Sequence, residues 1–168
     1  KVAKMLGQGF PGGPIIENMA QKGNSESYHF PRAYLDNGDF SFSGLKTAVR
    51  TLIKKRDEGI ERNFSNNDIA ACFQEAVVDV LVGKMIDIAK REQLTRVVVT
   101  GGVAANQYLR SRVDFAARKN GIQAYFPAPR FCTDNAAMIA CAGYHRFLVN
   151  QETAANYFHL DAAANLPL

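Results

Sequence analysis

Cysteine is scarce and never paired by motif. Cys72, Cys132 and Cys141 are the three in 168 residues, and none stands in a C-x-x-C. An odd count without a signal-peptide segment reads as a reduced protein of the cytosol or an organellar matrix, its thiols acting as small buried hydrophobes. Long hydrophobic runs are missing as well. None approaches the roughly 18 residues that span a bilayer, and the opening KVAKMLGQGFPGG holds no continuous apolar segment of signal-peptide type. A soluble protein with no membrane partner is expected. The chain begins without methionine, in what reads as a helix already under way, so a piece of something longer is also expected.

The residues of several familiar active sites are absent too. His29, His145 and His159 are scattered, with no partner three or four positions away. There is accordingly no H-E-x-x-H, the feature that a zincin-type metalloprotease requires. Ser41 and Ser43 lack a G-x-S-x-G elbow. Neither a Walker A loop nor a G-x-G-x-x-G fingerprint occurs, and there is no internal repeat or low-complexity segment.

What is present is a chain that is 47% hydrophobic, enough for one substantial core in one domain or two closely packed lobes. The 20 basic against 16 acidic residues leave a net charge of +4, a modest bias toward a polyanionic partner such as nucleic acid. Residues 1–6 read as the end of a helix stopped by Gly7 and Gly9. Phe10-Pro11-Gly12-Gly13-Pro14 then reads as a turn placing Pro14 at the first position of a new helix. Short extended pieces from Tyr28 to Phe42 surround a hairpin-like turn, Asp36-Asn37-Gly38-Asp39, and FSFS alternates as a strand with Phe40 and Phe42 on one face. A helical stripe follows at Leu45, Ala48, Val49, Leu52 and Ile53. A longer one, capped by Asn67, carries Ile69, Phe73, Ala76, Val77, Val80, Leu81 and Ile88. Val97-Val98-Val99 has no alternation, as in a strand buried on both faces. A helix closed by Gly121, a short strand in AYFPAP and a last helix capped by Thr133-Asp134-Asn135 complete an α/β pattern, with ligands expected at the carboxyl edge of the sheet.

Two double-glycine turns, Gly12-Gly13 and Gly101-Gly102, each precede an expected helix. Unpaired N–H groups and the helix dipole attract anions there, and absent Cβ atoms admit a ligand; close packing or a positive φ explains such glycines equally well. Asn106, one turn into its helix, has an amide that reaches a ribose or phosphate, or is an ordinary polar residue. Asp134, at a strand-to-helix junction, is a metal ligand or a helix cap. The basic groups Lys54-Lys55-Arg56, Arg110 with Arg112, and Arg118-Lys119 form a phosphate-tracking face or a solvated surface.

GFPGGP (9–14), DFSFSGLKTAVR (39–50), TGGVAANQYLR (100–110) and CTDNAAMIACAG (132–143) together resemble the TsaD family. These are the bacterial and organellar tRNA threonylcarbamoyladenosine synthases, formerly called O-sialoglycoprotein endopeptidases or glycoproteases, and the motifs stand in the family's order across almost the whole chain. The resemblance implies an ASKHA fold (actin-like ATPase, ribonuclease H-like), a lobe with a mixed sheet flanked by helices, of which residues 1–168 are the C-terminal portion. It implies transfer of the threonylcarbamoyl group from threonylcarbamoyl-AMP to N6 of the adenosine next to the anticodon, in tRNAs reading codons that begin with A. Gly12, Gly13, Gly101, Gly102 and Asn106 fall in the nucleotide-binding segments, which are compatible with an ATP- or ADP-like ligand, and Asp134 falls where the family binds one divalent metal, iron or zinc. Implied partners are TsaB-like and TsaE-like proteins and tRNA, in the cytoplasm or the mitochondrial matrix. The family's remaining metal ligands are histidines of an H-x-x-x-H that this sequence lacks. No residue here is therefore assigned a catalytic role, and the chain alone is expected to be inactive. A non-catalytic ASKHA module that binds nucleotide or a partner, and a metalloprotease as the older name suggests, are the alternatives; Asp134 within CTDN favours the catalytic branch.

Overall fold

The computed structural model describes residues 1–34 and 39–149 and divides into two units, residues 1–132 and 133–168. In the first, a short helix α1 (Val2–Met5) leads to α2 (Gly12–Ala20), α3 (Ser43–Asp57) and the long α4 (Asn66–Arg91). Strand β1 (Arg96–Val98), helix α5 (Gln107–Lys119) and strand β2 (Gln123–Tyr125) follow.

The start of α4 is fixed by local chemistry. The Ser65 hydroxyl accepts the Asp68 N–H at 3.0 Å, and the Asp68 carboxylate accepts the Ser65 N–H at 3.3 Å. This reciprocal box satisfies two otherwise unpaired donors, which Asn67, the expected cap, cannot do from inside the first turn. Asp68 also accepts the Asn24 N–H at 2.8 Å, binding the loop after α2 to the start of α4. The approach is close enough to demand glycine at position 23, where a Cβ would stand 2.1 Å from the Asn67 carbonyl oxygen.

Helix α4 organises two apolar clusters. Its first half packs Ile69, Ala70, Cys72 and Ala76 with Leu45, Val49 and Leu52 of α3 and with Phe30, Ile16 and Val2. Its second half packs Val78, Val82 and Ile86 with Leu109, Val113 and Ala117 of α5. Serving two clusters, it buries more of its circumference than the single expected stripe, including the consecutive residues Ile69 to Cys72.

β1 and β2 pair in parallel, Val97 opposite Ala124 and Val98 opposite Tyr125. Among the described residues this two-stranded parallel sheet is the only one, and with the helices around it the fold is α/β as expected. Val97, Val99 and Ala124 pack on the second cluster, whereas Val98 is 70% exposed. The valine run is therefore covered on one face, not both, because α4 and α5 supply apolar side chains to that face alone. FSFS forms no strand. Its alternation survives in stacked Phe40 and Phe42 rings, 6.3 Å between centroids, and in Ser41 and Ser43 hydroxyls 3.4 Å apart. No described strand pairs with it, and Ser43 already opens α3. Leu35 to Gly38, the core of the expected hairpin turn, lies outside the described residues.

The second unit holds α6 (Ala136–Val149). Its N-terminus is capped by Asn135, whose Oδ1 accepts the Met138 N–H at 2.9 Å. No described helix is long and apolar enough to cross a membrane.

Candidate functional site

A cavity of about 400 Å³ opens in the first unit, with Gly12, Gly13, Phe73, Val77, Val103 and Asn106 among its lining. Gly12 and Gly13 are the first two residues of α2, with Pro11 extended ahead of them at ψ 133°. Pro14 therefore occupies the third helical position, not the first, and its missing N–H still falls among groups with no partner inside the helix. No side chain caps α2 and no acidic residue lies in its first turn. The positive end of the helix dipole is thus left uncompensated beside the cavity, as in an anion-binding site.

The two glycines of this pair have different reasons. A Cβ on Gly12 would come within 3.0 Å of the Ala3 Cβ, so packing alone favours glycine. A Cβ on Gly13 meets nothing within 4 Å. Gly13 is helical directly before Pro14, where a Cβ would crowd the proline ring, so the local backbone favours glycine there as well. Beyond that neighbour, what a side chain at position 13 would take up is space at the cavity.

The second pair is arranged otherwise. Gly101 adopts φ 87° and ψ 173°, a region that is essentially glycine's own, which accounts for it without a ligand. Gly102 opens a 3₁₀ turn, Gly102–Ala105, so the helix does not follow the pair directly. Neither glycine lines the cavity, although Val103 and Asn106 of the same loop do. Asn106 is not one turn inside α5 but its N-cap, its Oδ1 accepting the Leu109 N–H at 2.8 Å. A Glu17 oxygen accepts the Gln107 N–H at 2.7 Å. The start of α5 is thereby occupied, and an anion there would face the Glu17 carboxylate. Of the two helix starts, only that of α2 remains open to one. The Asn106 Nδ2 donates to the Gln74 Oε1 at 2.9 Å.

The expected phosphate-tracking arginines are largely spent inside the fold. Arg56 donates to the Phe64 carbonyl, to Asn66 and to Asp57. Arg110 donates to the carbonyls of Ala104 at 2.6 Å and Pro127 at 2.7 Å, holding the glycine loop to the segment after β2. Arg112 binds Glu75, Tyr108 and, at 2.8 Å, Asp79, which in turn takes Arg32 at 2.9 Å. Burial alone would lower the Arg112 guanidinium, but its bonds to Glu75 and Tyr108 outweigh that and raise it. Burial, together with the bond to Glu75, raises the Tyr108 phenol. Beside this network lies a more polar cavity of about 300 Å³, with Glu17, Gln21, Ser25, Gln74 and Tyr108 in its wall.

Asp134 is exposed, and since Asn135 supplies the cap its carboxylate does not serve as one. Among the described residues no three of His, Cys, Asp and Glu stand together. Asp134 is a single donor, and these residues do not by themselves compose a metal centre. The cysteines are unpaired; Cys72 and Cys132 are buried as expected, while Cys141 is exposed. Gln74 and Glu17 escaped the sequence reading. The one available signal was the polar pair Gln74-Glu75 interrupting the apolar spacing of α4.

These features define a class: an α/β protein with an apolar cavity beside an uncapped helix start. The chain belongs to the TsaD family, described as tRNA N6-adenosine threonylcarbamoyltransferase, whose model matches residues 1–141. Relatives carrying the name tRNA N6-adenosine threonylcarbamoyltransferase include one from Thermodesulfovibrio yellowstonii, 50% identical over all of this chain and 50% of its own length. Another, from Desulfitobacterium hafniense, is 52% identical over 88% of this chain and 44% of its own. A third, from Thermosipho melanesiensis, is 47% identical over all of this chain and 49% of its own. The chain thus spans about half the length of the curated relatives it matches.

Proposed function

We propose that this chain is the C-terminal, nucleotide-holding portion of an ASKHA-fold acyltransferase. In this reading the enzyme moves the threonylcarbamoyl group from threonylcarbamoyl-AMP to N6 of the adenosine next to the anticodon, in tRNAs reading codons that begin with A. The observation that carries the reading is the convergence of Gly12, Gly13 and Asn106 on one apolar cavity beside the open start of α2, in a chain of this family. The apolar wall suits a purine, and the helix start suits the phosphate. In the transfer, the N6 nitrogen bonds to the carbamoyl carbon, the carbon–oxygen bond to phosphate breaks, N6 loses a proton and AMP departs. Negative charge grows on the departing phosphate. The unpaired N–H groups at the start of α2 stabilise it from fixed positions, with no reorganisation at the moment of reaction.

Asp134 offers one carboxylate to a divalent ion, iron or zinc. Such an ion would supply Lewis acidity, and Asp134 would be one of its ligands. TsaB-like and TsaE-like proteins and tRNA are the partners that accompany this reading, in the cytoplasm or the mitochondrial matrix.

The test supplies threonylcarbamoyl-AMP and unmodified tRNA to the chain alone, and to the chain mixed with the N-terminal half of the Thermodesulfovibrio yellowstonii relative and TsaB-like and TsaE-like partners. Nucleosides are read by mass spectrometry. Threonylcarbamoyladenosine is expected only in the mixture, and Asp134→Ala is expected to lower the iron or zinc bound there, by elemental analysis. Product from the chain alone would overturn the partial-site reading; none in any mixture would overturn the assignment.

A further inference from the structure

Asn106 contributes a side chain to the cavity, but its orientation is set elsewhere. A carboxamide has one acceptor oxygen and one NH₂ group, and turning it over exchanges them. The Leu109 N–H can only donate, so the atom that caps it must be Oδ1. Nδ2 is thereby directed at Gln74, 2.9 Å away. Since Nδ2 can only donate, the atom that it meets must be Oε1. Two obligatory donors in sequence thus assign both amides without ambiguity.

Of the four hydrogen-bonding sites on Asn106, the cap takes one oxygen lone pair and Gln74 takes one N–H. One N–H and one lone pair remain, held at fixed directions on a residue that lines the cavity. Gln74 comes from the first half of α4, the helix that anchors both apolar clusters, and lines the same cavity as Asn106. Without its oxygen, Nδ2 has no protein acceptor, and the amide is free to swing about its cap bond.

We propose that Gln74 is the positioning residue of this site: its Oε1 orients the Asn106 amide toward the cavity ligand. The proposal rests on reading the cavity as the adenylate site. It requires an acceptor at position 74 and nothing more. Glutamate, which keeps the reach and the oxygen, serves as well as glutamine, whereas alanine does not.

The experiment is amide NMR on ¹⁵N-labelled chain, wild type, Gln74→Ala and Gln74→Glu, with AMP as the probe. In the free protein, the Asn106 side-chain NH₂ is expected to be ordered in wild type and Gln74→Glu and mobile in Gln74→Ala. On titration, the Gly12, Gly13 and Asn106 signals shift. Gln74→Ala weakens AMP binding about fivefold, the scale of one hydrogen bond. Gln74→Glu adds a carboxylate to the cavity wall and is read by Asn106 order in the free protein, where charge on AMP plays no part. An equally ordered Asn106 side chain in Gln74→Ala, or one as mobile in Gln74→Glu as in Gln74→Ala, overturns the role of Gln74. Wild-type chain in which no cavity signal shifts at millimolar AMP overturns the adenylate reading instead, while Asn106 order in the free variants still tests the positioning contact.

Discussion

Positions 13 and 101 show two reasons for a glycine. Gly13 has open space around its Cβ position apart from its neighbour Pro14, while Gly101 is held at φ 87°. A side chain at position 13 crowds Pro14 and occupies the cavity; one at position 101 strains the backbone through its positive φ. Gly13→Val is expected to lower stability in urea unfolding by about 1 kcal/mol, because a β-branched helical residue is crowded by Pro14, and to weaken AMP binding at least about tenfold by lost space. Gly101→Ala is expected to cost about 1–3 kcal/mol. Unchanged AMP binding in Gly13→Val would mean that position 13 serves the fold and not a ligand.

Helix starts have three different fates in this protein. That of α2 is left open, that of α5 is closed by Asn106 and Glu17, and that of α4 is closed by the Ser65–Asp68 box. Asp68 titrates below its ordinary value of 3.8, chiefly because it accepts the Asn24 N–H and then the Ser65 hydroxyl. A carboxyl held low in the folded state stabilises it fully above the unfolded value and loses that contribution as pH falls through the folded one. Asp68→Ala should cost about 1 kcal/mol at neutral pH. The difference from wild type should shrink as pH drops below 3.8 in a series of urea titrations. A difference independent of pH would show that the carboxylate contributes shape and not charge.

For the molecule as a whole, stability comes from apolar burial around α4 and not from covalent links. Cys72 lies in the first cluster with its thiol pushed up by burial, Cys132 is buried near Arg110, and Cys141 is exposed. A thiol reagent under native conditions is expected to modify one cysteine rapidly, Cys141, and the other two only as the first unit opens. Reductant should leave the melting temperature unchanged. Three fast thiols would show that the clusters around α4 open readily.

The sequence by itself determined the family, through four ordered motifs, and the helices, because apolar spacing and glycine stops are local properties of the chain. It also singled out Gly12, Gly13 and Asn106. Only the tertiary structure decided what each does. FSFS alternates as a strand does, yet it has no described partner, and pairing is not a local property. The charges of Arg110 and Arg112 looked available to phosphate, yet packing delivers them to carbonyls and carboxylates. The two glycine pairs read alike because nothing in their own residues reveals that Glu17, 90 positions away from Gln107, fills one helix start and that no side chain fills the other.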